Sequence, residues 1–311
     1  MGKTFRIVLI VVALIVAASG IAGGVYLFYI LPRQEAVAEM MARVMIPEIF
    51  ARYTEEIQLA NQIVRENPQL MRDGSHVTLQ ELRGFFDIPL KQKVVYQQIR
   101  APGDPRAYRK GIHQGIDFYQ TKRGDPIYAA APGVVIRIDK DHQPMEKQFR
   151  NEMLRHCKQT WNGTPGSVLL PPVEEPYGDV LDKLRGRQIL LYHGKNTQNE
   201  PIISLYAHML EVNQELSVGD IVNTETIIGH IGNSGTSGEV ENNSKKENHL
   251  HMELFVGGIY WTPKKESEIG TKQSNPRYAE LQETILQELS REYASSGEQP
   301  GSLSAETTSQ P

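Results

Sequence analysis

Between Ile7 and Leu31 the chain carries no charged residue, and Ile, Val, Leu and Ala dominate the run. A stretch of that length crosses the hydrocarbon core of a bilayer as a helix. Lys3 and Arg6 precede it, while Arg33 and Glu35 follow closely, so the positive bias leaves the N-terminus inside and sends the rest across. A cleaved signal peptide is the competing expectation, because Ala17, Ala18, Ser19 and Gly20 offer small residues to a peptidase. The apolar run continues well past that point, which favours a single-pass anchor. Either way the remainder of the chain is expected to be exported.

After Pro32 the pattern takes the helical period: Val37, Met40, Met41, Val44 and Met45, then Ile49, Phe50, Tyr53 and Ile57, with a break at Pro47. This predicts a long, kinked amphipathic helix. Thr78 with Glu81 three residues on predicts a capping box and a short helix ending before Pro89. Residues 33–100 therefore read as a helical stalk or small subdomain, which packs on the next domain, dimerises, or acts as a spacer.

From Pro126 the period shortens to two. Apolar runs at Ile127 to Ala131, Val134 to Ile138, Ile189 to His193, Ile202 to His208, Ile221 to Val222, Thr226 to Ile231 and His249 to Val256 are separated by Gly, Pro and Asn turns. Many short strands at this spacing predict a mainly β, antiparallel domain over residues 101–265. The strand signal lapses between Asp139 and Arg187, so residues 139–187 read as an insertion between two strands. Asn275-Pro276 starts a C-terminal helix within 266–295, with Tyr278, Leu281, Ile285 and Leu289 on one face. The Ser, Gly, Gln, Thr and Pro of residues 296–311 predict a disordered tail.

Composition narrows the chemistry. The net charge of -4 gives no basic field for displacing counterions from phosphates, so nucleic acid is not an expected partner. Cys157 is the single cysteine, which excludes an intrachain disulfide and any Cys-rich metal site and leaves an inert thiol.

Histidines and one aspartate carry the remaining signal. Gly111-Ile112-His113-Gln114-Gly115-Ile116-Asp117 sets an imidazole and a carboxylate four residues apart, a pair that can ligate zinc. Far downstream, His249-Leu250-His251-Met252-Glu253 alternates as a strand does, so both imidazoles project from one face. A third piece, Leu205-Tyr206-Ala207-His208, ends another apolar run. Any one of these histidines alone reads as a structural residue. The ordered set does not.

The order H-x-G-x-D, Y-x-H, H-x-H, with GDPIYAAAPGVV and GDIVNTETIIGHIGNSG around it, resembles the LytM and lysostaphin family of zinc metalloendopeptidases over about half the chain. The resemblance implies the antiparallel β-sheet, duplicated-hybrid-motif fold, with one Zn2+ held by His113, Asp117 and His251 and a catalytic pair in His208 and His249. It further implies cleavage of peptidoglycan stem peptides or cross-links on the periplasmic or cell-wall side of the membrane. The rival expectation is a non-catalytic or autoinhibited envelope protein that regulates another wall hydrolase through a protein partner. Two departures stand out: the hydrophilic stretch Gly238 to Asn248, expected at the cleft edge, and the insertion at 139–187, expected to govern access or specificity.

Other residues take simpler expectations. His193 and His230 read as framework, and His76, His142 and His156 as surface residues. Glu253 is either a hydrogen-bond partner of His251 or a strand-end charge. Tyr206 is expected to line the cleft, and Asn233 and Ser234 either line it or serve the Asn233-Ser234-Gly235 turn.

Overall fold

The computed structural model describes residues 53–290, apart from 93, 107, 110, 120, 161–179 and 262–277. The apolar run at 7–31, the helix expected before residue 53 and the C-terminal tail lie outside the described residues. Among the described residues no helix is long and apolar enough to cross a membrane.

In chain order the elements are helix α1 (Thr54–Glu66), then strands β1 (Ile99–Arg100), β2 (Pro105–Arg106), β3 (Gly111–Ile112), β4 (Ile116–Phe118), β5 (Pro126–Tyr128) and β6 (Gly133–Ile138). Helices α2 (Lys147–Thr160) and α3 (Val180–Arg185) follow. Next come β7 (Ile189–Lys195), β8 (Pro201–Ala207), β9 (Met209–Val212), β10 (Ile221–Val222) and β11 (Ile227–Ile231). The one-turn helix α4 (Ser237–Val240), strands β12 (Leu250–Val256) and β13 (Ile259–Tyr260), and helix α5 (Tyr278–Leu289) complete the set. The main sheet runs β1-β4-β12-β8-β7-β6-β10, with β13 on the far end of β12, and a smaller sheet runs β5-β11-β9. The strand pairs are antiparallel, so the mainly β expectation holds.

Alternation along the central strands assigns their two faces. Ile189 and Leu191 of β7, Ile202 and Tyr206 of β8, and Leu250, Met252, Leu254 and Val256 of β12 enter the main core with Phe85, Phe86 and α5. Leu190, Tyr192, Ile203, Leu205, Ala207 and Phe255 point the other way. There α1 lays Ile57, Ala60, Ile63 and Val64 over β6 and β7, a stripe at helical spacing. His249, His251 and Glu253 fall on this second face, beyond the reach of α1.

Three local expectations change. No helix follows Thr78: its Oγ1 accepts from the amides of Gln80 and Glu81 at 3.3 and 3.1 Å, but Arg83 and Gly84 turn left-handed and stop propagation. The freed amides of Leu82 and Arg83 bond Glu288 on α5 instead, which docks this segment against the C-terminal helix. Thr54 to Glu66 continues as helix past Ile57 and packs on the sheet. The strand expected from Ile202 to His208 ends at Ala207, because His208 adopts φ 60° and the chain leaves the main sheet there to pair with β11.

The insertion contributes α2 and α3, which bury Met153, Leu154, Cys157, Val180 and Leu184 against one another. Cys157 is buried and its thiol is pushed up by burial, as an inert side chain would be.

Candidate metal centre and groove

Register builds the site. Across the β12–β4 ladder His251 pairs with Asp117, and on its other side it pairs with Ala207 of β8. His113 enters from the turn between β3 and β4. Gly115 makes that approach sterically accessible: a Cβ there would lie 2.3 Å from the Met252 carbonyl and 2.9 Å from His251.

Three ligand-type atoms converge as a result. His113 Nε2 lies 2.9 Å from Asp117 Oδ1 and 3.1 Å from His251 Nδ1, and His251 Nδ1 lies 2.8 Å from Asp117 Oδ1. Nitrogen and oxygen ligands at tetrahedral zinc stand about 3.3 Å apart, so this triangle needs an expansion of only about half an ångström. Among the described residues this is the sole group of three His, Cys, Asp or Glu side chains so disposed. All three side chains are buried.

The outer hydrogen bonds fix which atoms face inward. An acceptor outside the triangle, carbonyl or carboxylate, can only accept, so the ring nitrogen facing it carries a proton and the other nitrogen of that ring faces the centre. His113 donates from Nδ1 to the Ala101 carbonyl at 2.7 Å, leaving the Nε2 lone pair for the centre. His251 donates from Nε2 to Glu253 Oε1 at 2.9 Å, leaving Nδ1. Asp117 uses Oδ2 for Arg106 Nη2 at 3.0 Å and the Tyr119 hydroxyl at 3.2 Å, which turns Oδ1 towards the two imidazoles. Burial pushes His113 down to about 4, so the ring is neutral at pH 7. Burial alone would raise Asp117, but His113 and His249 beside it hold the carboxyl well below its ordinary range.

His208 and His249 flank the triangle, with ring centroids 4.7 Å apart. His208 donates from Nδ1 to the Ser234 carbonyl at 2.7 Å, and His249 donates from Nδ1 to the Glu247 carbonyl at 2.9 Å. His208 therefore presents an Nε2 lone pair, and His249 Nε2 lies 3.5 Å from Asp117 Oδ1. Burial, reinforced by His249 and His251, keeps the His208 ring well below its ordinary pKa and hence neutral. The His249 ring is stacked on Tyr119, with centroids 5.0 Å apart and planes 16° from parallel.

These groups floor a groove of about 360 Å³. Gly235, Thr236, Ser237 and Glu247 line it, as do Arg150, Leu154, Leu181 and Leu184 from the segment between β6 and β7. The hydrophilic stretch thus reaches the cleft edge through Glu247, whose Oε2 accepts from Ser237 and from the Gly238 amide.

The five residues expected at the site are all brought together. Other expectations are corrected. Tyr206 is fully buried in the core, where its hydroxyl accepts from the Ala130 amide, because position 206 alternates away from the site face. Asn233 braces the loop carbonyls of Asn243 and Lys246 and does not line the groove. His142 is half-buried, its Nε2 3.2 Å from Glu239, and His76 is half-buried against Phe85. Glu253 is a buried partner of His251, and its second partner is Arg185, at 2.8 and 2.7 Å. Burial would raise Glu253, but Arg185 and His251 hold it well below the usual carboxylate range. Arg106, Tyr119 and Arg185 were not singled out by sequence. Tyr119 sits two positions after Asp117 and was accessible by strand alternation; the two arginines lie in segments without motif.

No family model matches the sequence. No curated protein matches it either. Among solved structures it is similar to a protein from Pseudomonas aeruginosa described as a peptidase M23, at 14% identity over 73% of this chain and 63% of that one, with a TM-score of 0.31. A zinc containing peptidase from Vibrio cholerae is similar at 17% identity over 58% of this chain and 39% of that one, with a TM-score of 0.34. The chain thus spans less than two thirds of the length of either protein. The catalytic domain of the antimicrobial peptidase lysostaphin from Staphylococcus simulans is similar at 16% identity over 58% and 86%, with a TM-score of 0.28.

Proposed function

We propose that the chain is a zinc-dependent endopeptidase acting on peptidoglycan peptides, with His113, Asp117 and His251 as metal ligands. The observation that carries this reading is the convergence of His113 Nε2, Asp117 Oδ1 and His251 Nδ1 within 3.1 Å of one another at the floor of a groove. Two imidazole nitrogens and one carboxylate oxygen form an N/O donor set that suits zinc and, with three protein ligands rather than four, suits a catalytic site. A bound zinc ion would supply Lewis acidity, lowering the pKa of water towards about 7 and polarising a carbonyl.

The chain's own groups do the rest. His208 is neutral, its Nδ1 proton is committed to Ser234, and its Nε2 can accept a proton from an attacking water. His208 would then pass that proton to the leaving amine, while His249, oriented by the Glu247 carbonyl and the Tyr119 ring, holds Nε2 beside the centre. An extended peptide substrate would lie along the groove across this floor. The apolar run at 7–31 would tether this groove to the membrane on its outer side.

The test is direct. The full chain, purified in detergent, should carry one zinc per chain and release peptides from peptidoglycan, and chelation should abolish release. Zinc-free folded protein that cleaves nothing, yet raises the activity of a separate wall hydrolase, would replace this reading with the regulatory one.

A further inference from the structure

Of the four histidines at the site, three donate their outer ring proton to a main-chain carbonyl: Ala101, Ser234 and Glu247 respectively. His251 alone donates to a side chain, Glu253. A carbonyl is fixed by the backbone, whereas a carboxylate can rotate unless something else holds it. Arg185 is that restraint. Its Nε bonds Glu253 Oε1 at 2.8 Å and its Nη2 bonds Oε2 at 2.7 Å, a two-point fork that sets the carboxylate plane. The pair is buried, at 5% and 1% exposure of the side chains. A buried ion pair of this kind adds little net stability over an apolar pair, so its value here lies in orientation.

Arg185 also reaches the other half of the site. Its carbonyl accepts the His208 N–H at 3.0 Å, at the residue where φ is 60° and β8 hands over to β9. Two residues on, the Arg187 amide donates to the Ser234 hydroxyl at 2.8 Å, and Ser234 in turn holds the His208 ring through its carbonyl. Gly186 and Gly235 permit this contact: a Cβ on either would fall within 2.6 Å of backbone of the other's segment.

We propose that Arg185 is a positioning residue for the metal centre, and that the insertion at 139–187 is built into that centre through it. From the last turn of α3 the residue fixes the His251 tautomer by way of Glu253 and the His208 backbone by way of its own carbonyl. The proposal rests on the metal reading above.

The full-length protein in detergent provides the test, comparing wild type with Arg185→Lys and Arg185→Gln. Lysine keeps the charge but cannot hold both oxygens. Zinc affinity by chelator competition should fall about 10- to 100-fold in both variants, and the visible spectrum of the cobalt(II)-substituted protein should change band position or intensity. Thermal melting of the chelated proteins reports stability separately. Affinity and cobalt spectrum equal to wild type in either folded variant, whatever the melting temperature does, overturn the positioning role and leave the metal reading intact. A wild-type chain that takes up neither metal overturns the metal reading itself, and this proposal with it.

Discussion

His251 stands opposite Asp117 across an antiparallel ladder, and their facing atoms, Nδ1 and Oδ1, are 2.8 Å apart. Cross-strand neighbours on one face are set by the hydrogen-bond register, so this proposed ligand pair is positioned by the sheet. His208, in contrast, hangs from an isolated left-handed residue. The two histidines should therefore fail differently. His251→Ala should lose stoichiometric zinc, while His208→Ala should retain it and lose turnover about 100-fold or more, as read by metal analysis and peptide release on the same preparations. Equal zinc loss in the two variants would reverse the assignment of roles.

Gly115 is required by closeness. A methyl group there meets the Met252 carbonyl at 2.3 Å, and carbonyls in a paired strand cannot retreat without breaking the ladder. Gly115→Ala should cost about 1–3 kcal/mol in urea unfolding, the usual scale for overpacking, and should reduce zinc occupancy by spreading β4 from β12. A variant with wild-type stability and zinc content would show that the strands separate freely.

Tyr119 serves two neighbours with different parts of its side chain. The ring lies against His249 and the hydroxyl bonds Asp117 Oδ2. Tyr119→Phe should keep turnover within about tenfold, since stacking survives, and weaken zinc several-fold through Asp117. Tyr119→Ala should lower kcat further by at least about tenfold. Identical kcat in the two variants would remove stacking from the account.

The mainly antiparallel architecture, the break in strand pattern after Ile138 and the shared face of His249 and His251 were legible in local pattern, as period-two alternation, its lapse, and histidines at i, i+2, whereas grouping His113, Asp117 and His208 with them rested on the family resemblance. What escaped was set by contacts distant in sequence. Arg185 reaches Glu253 across 68 residues, and no local rule distinguishes it from the other arginines of its segment. Thr78 shows the opposite failure, for its hydroxyl accepts the Glu81 amide as a cap does, but the Thr78 amide bonds the Glu81 main-chain carbonyl and Arg83 and Gly84 turn the chain away from helix. Tyr206 was misplaced for a simpler reason. Its motif neighbour His208 points at the groove, but the break in the strand at 208 decouples the two.

A polar chain runs through the core away from the groove, from the Ala130 amide to the Tyr206 hydroxyl, Ser204 Oγ and His193 Nε2, with His193 Nδ1 donating to the Pro132 carbonyl. Burial pushes His193 down to about 4. A histidine whose folded pKa is depressed binds protons more weakly than the unfolded chain. Its contribution to stability is therefore intact above about pH 6.5 and is lost as pH falls towards about 4, by about 3 kcal/mol in all. His193→Gln should flatten that part of the acid-side decline relative to wild type, measured by urea unfolding across this window. Parallel pH curves for the two proteins would place the loss elsewhere.

β8 and β9 belong to different sheets, yet a single residue, His208, joins them. A connection that short has no slack. Any sliding or twisting of the small sheet against the large one must rotate the backbone of His208 and carry its imidazole with it. The orientation of the imidazole proposed as proton acceptor is in this way geared to the angle between the two sheets.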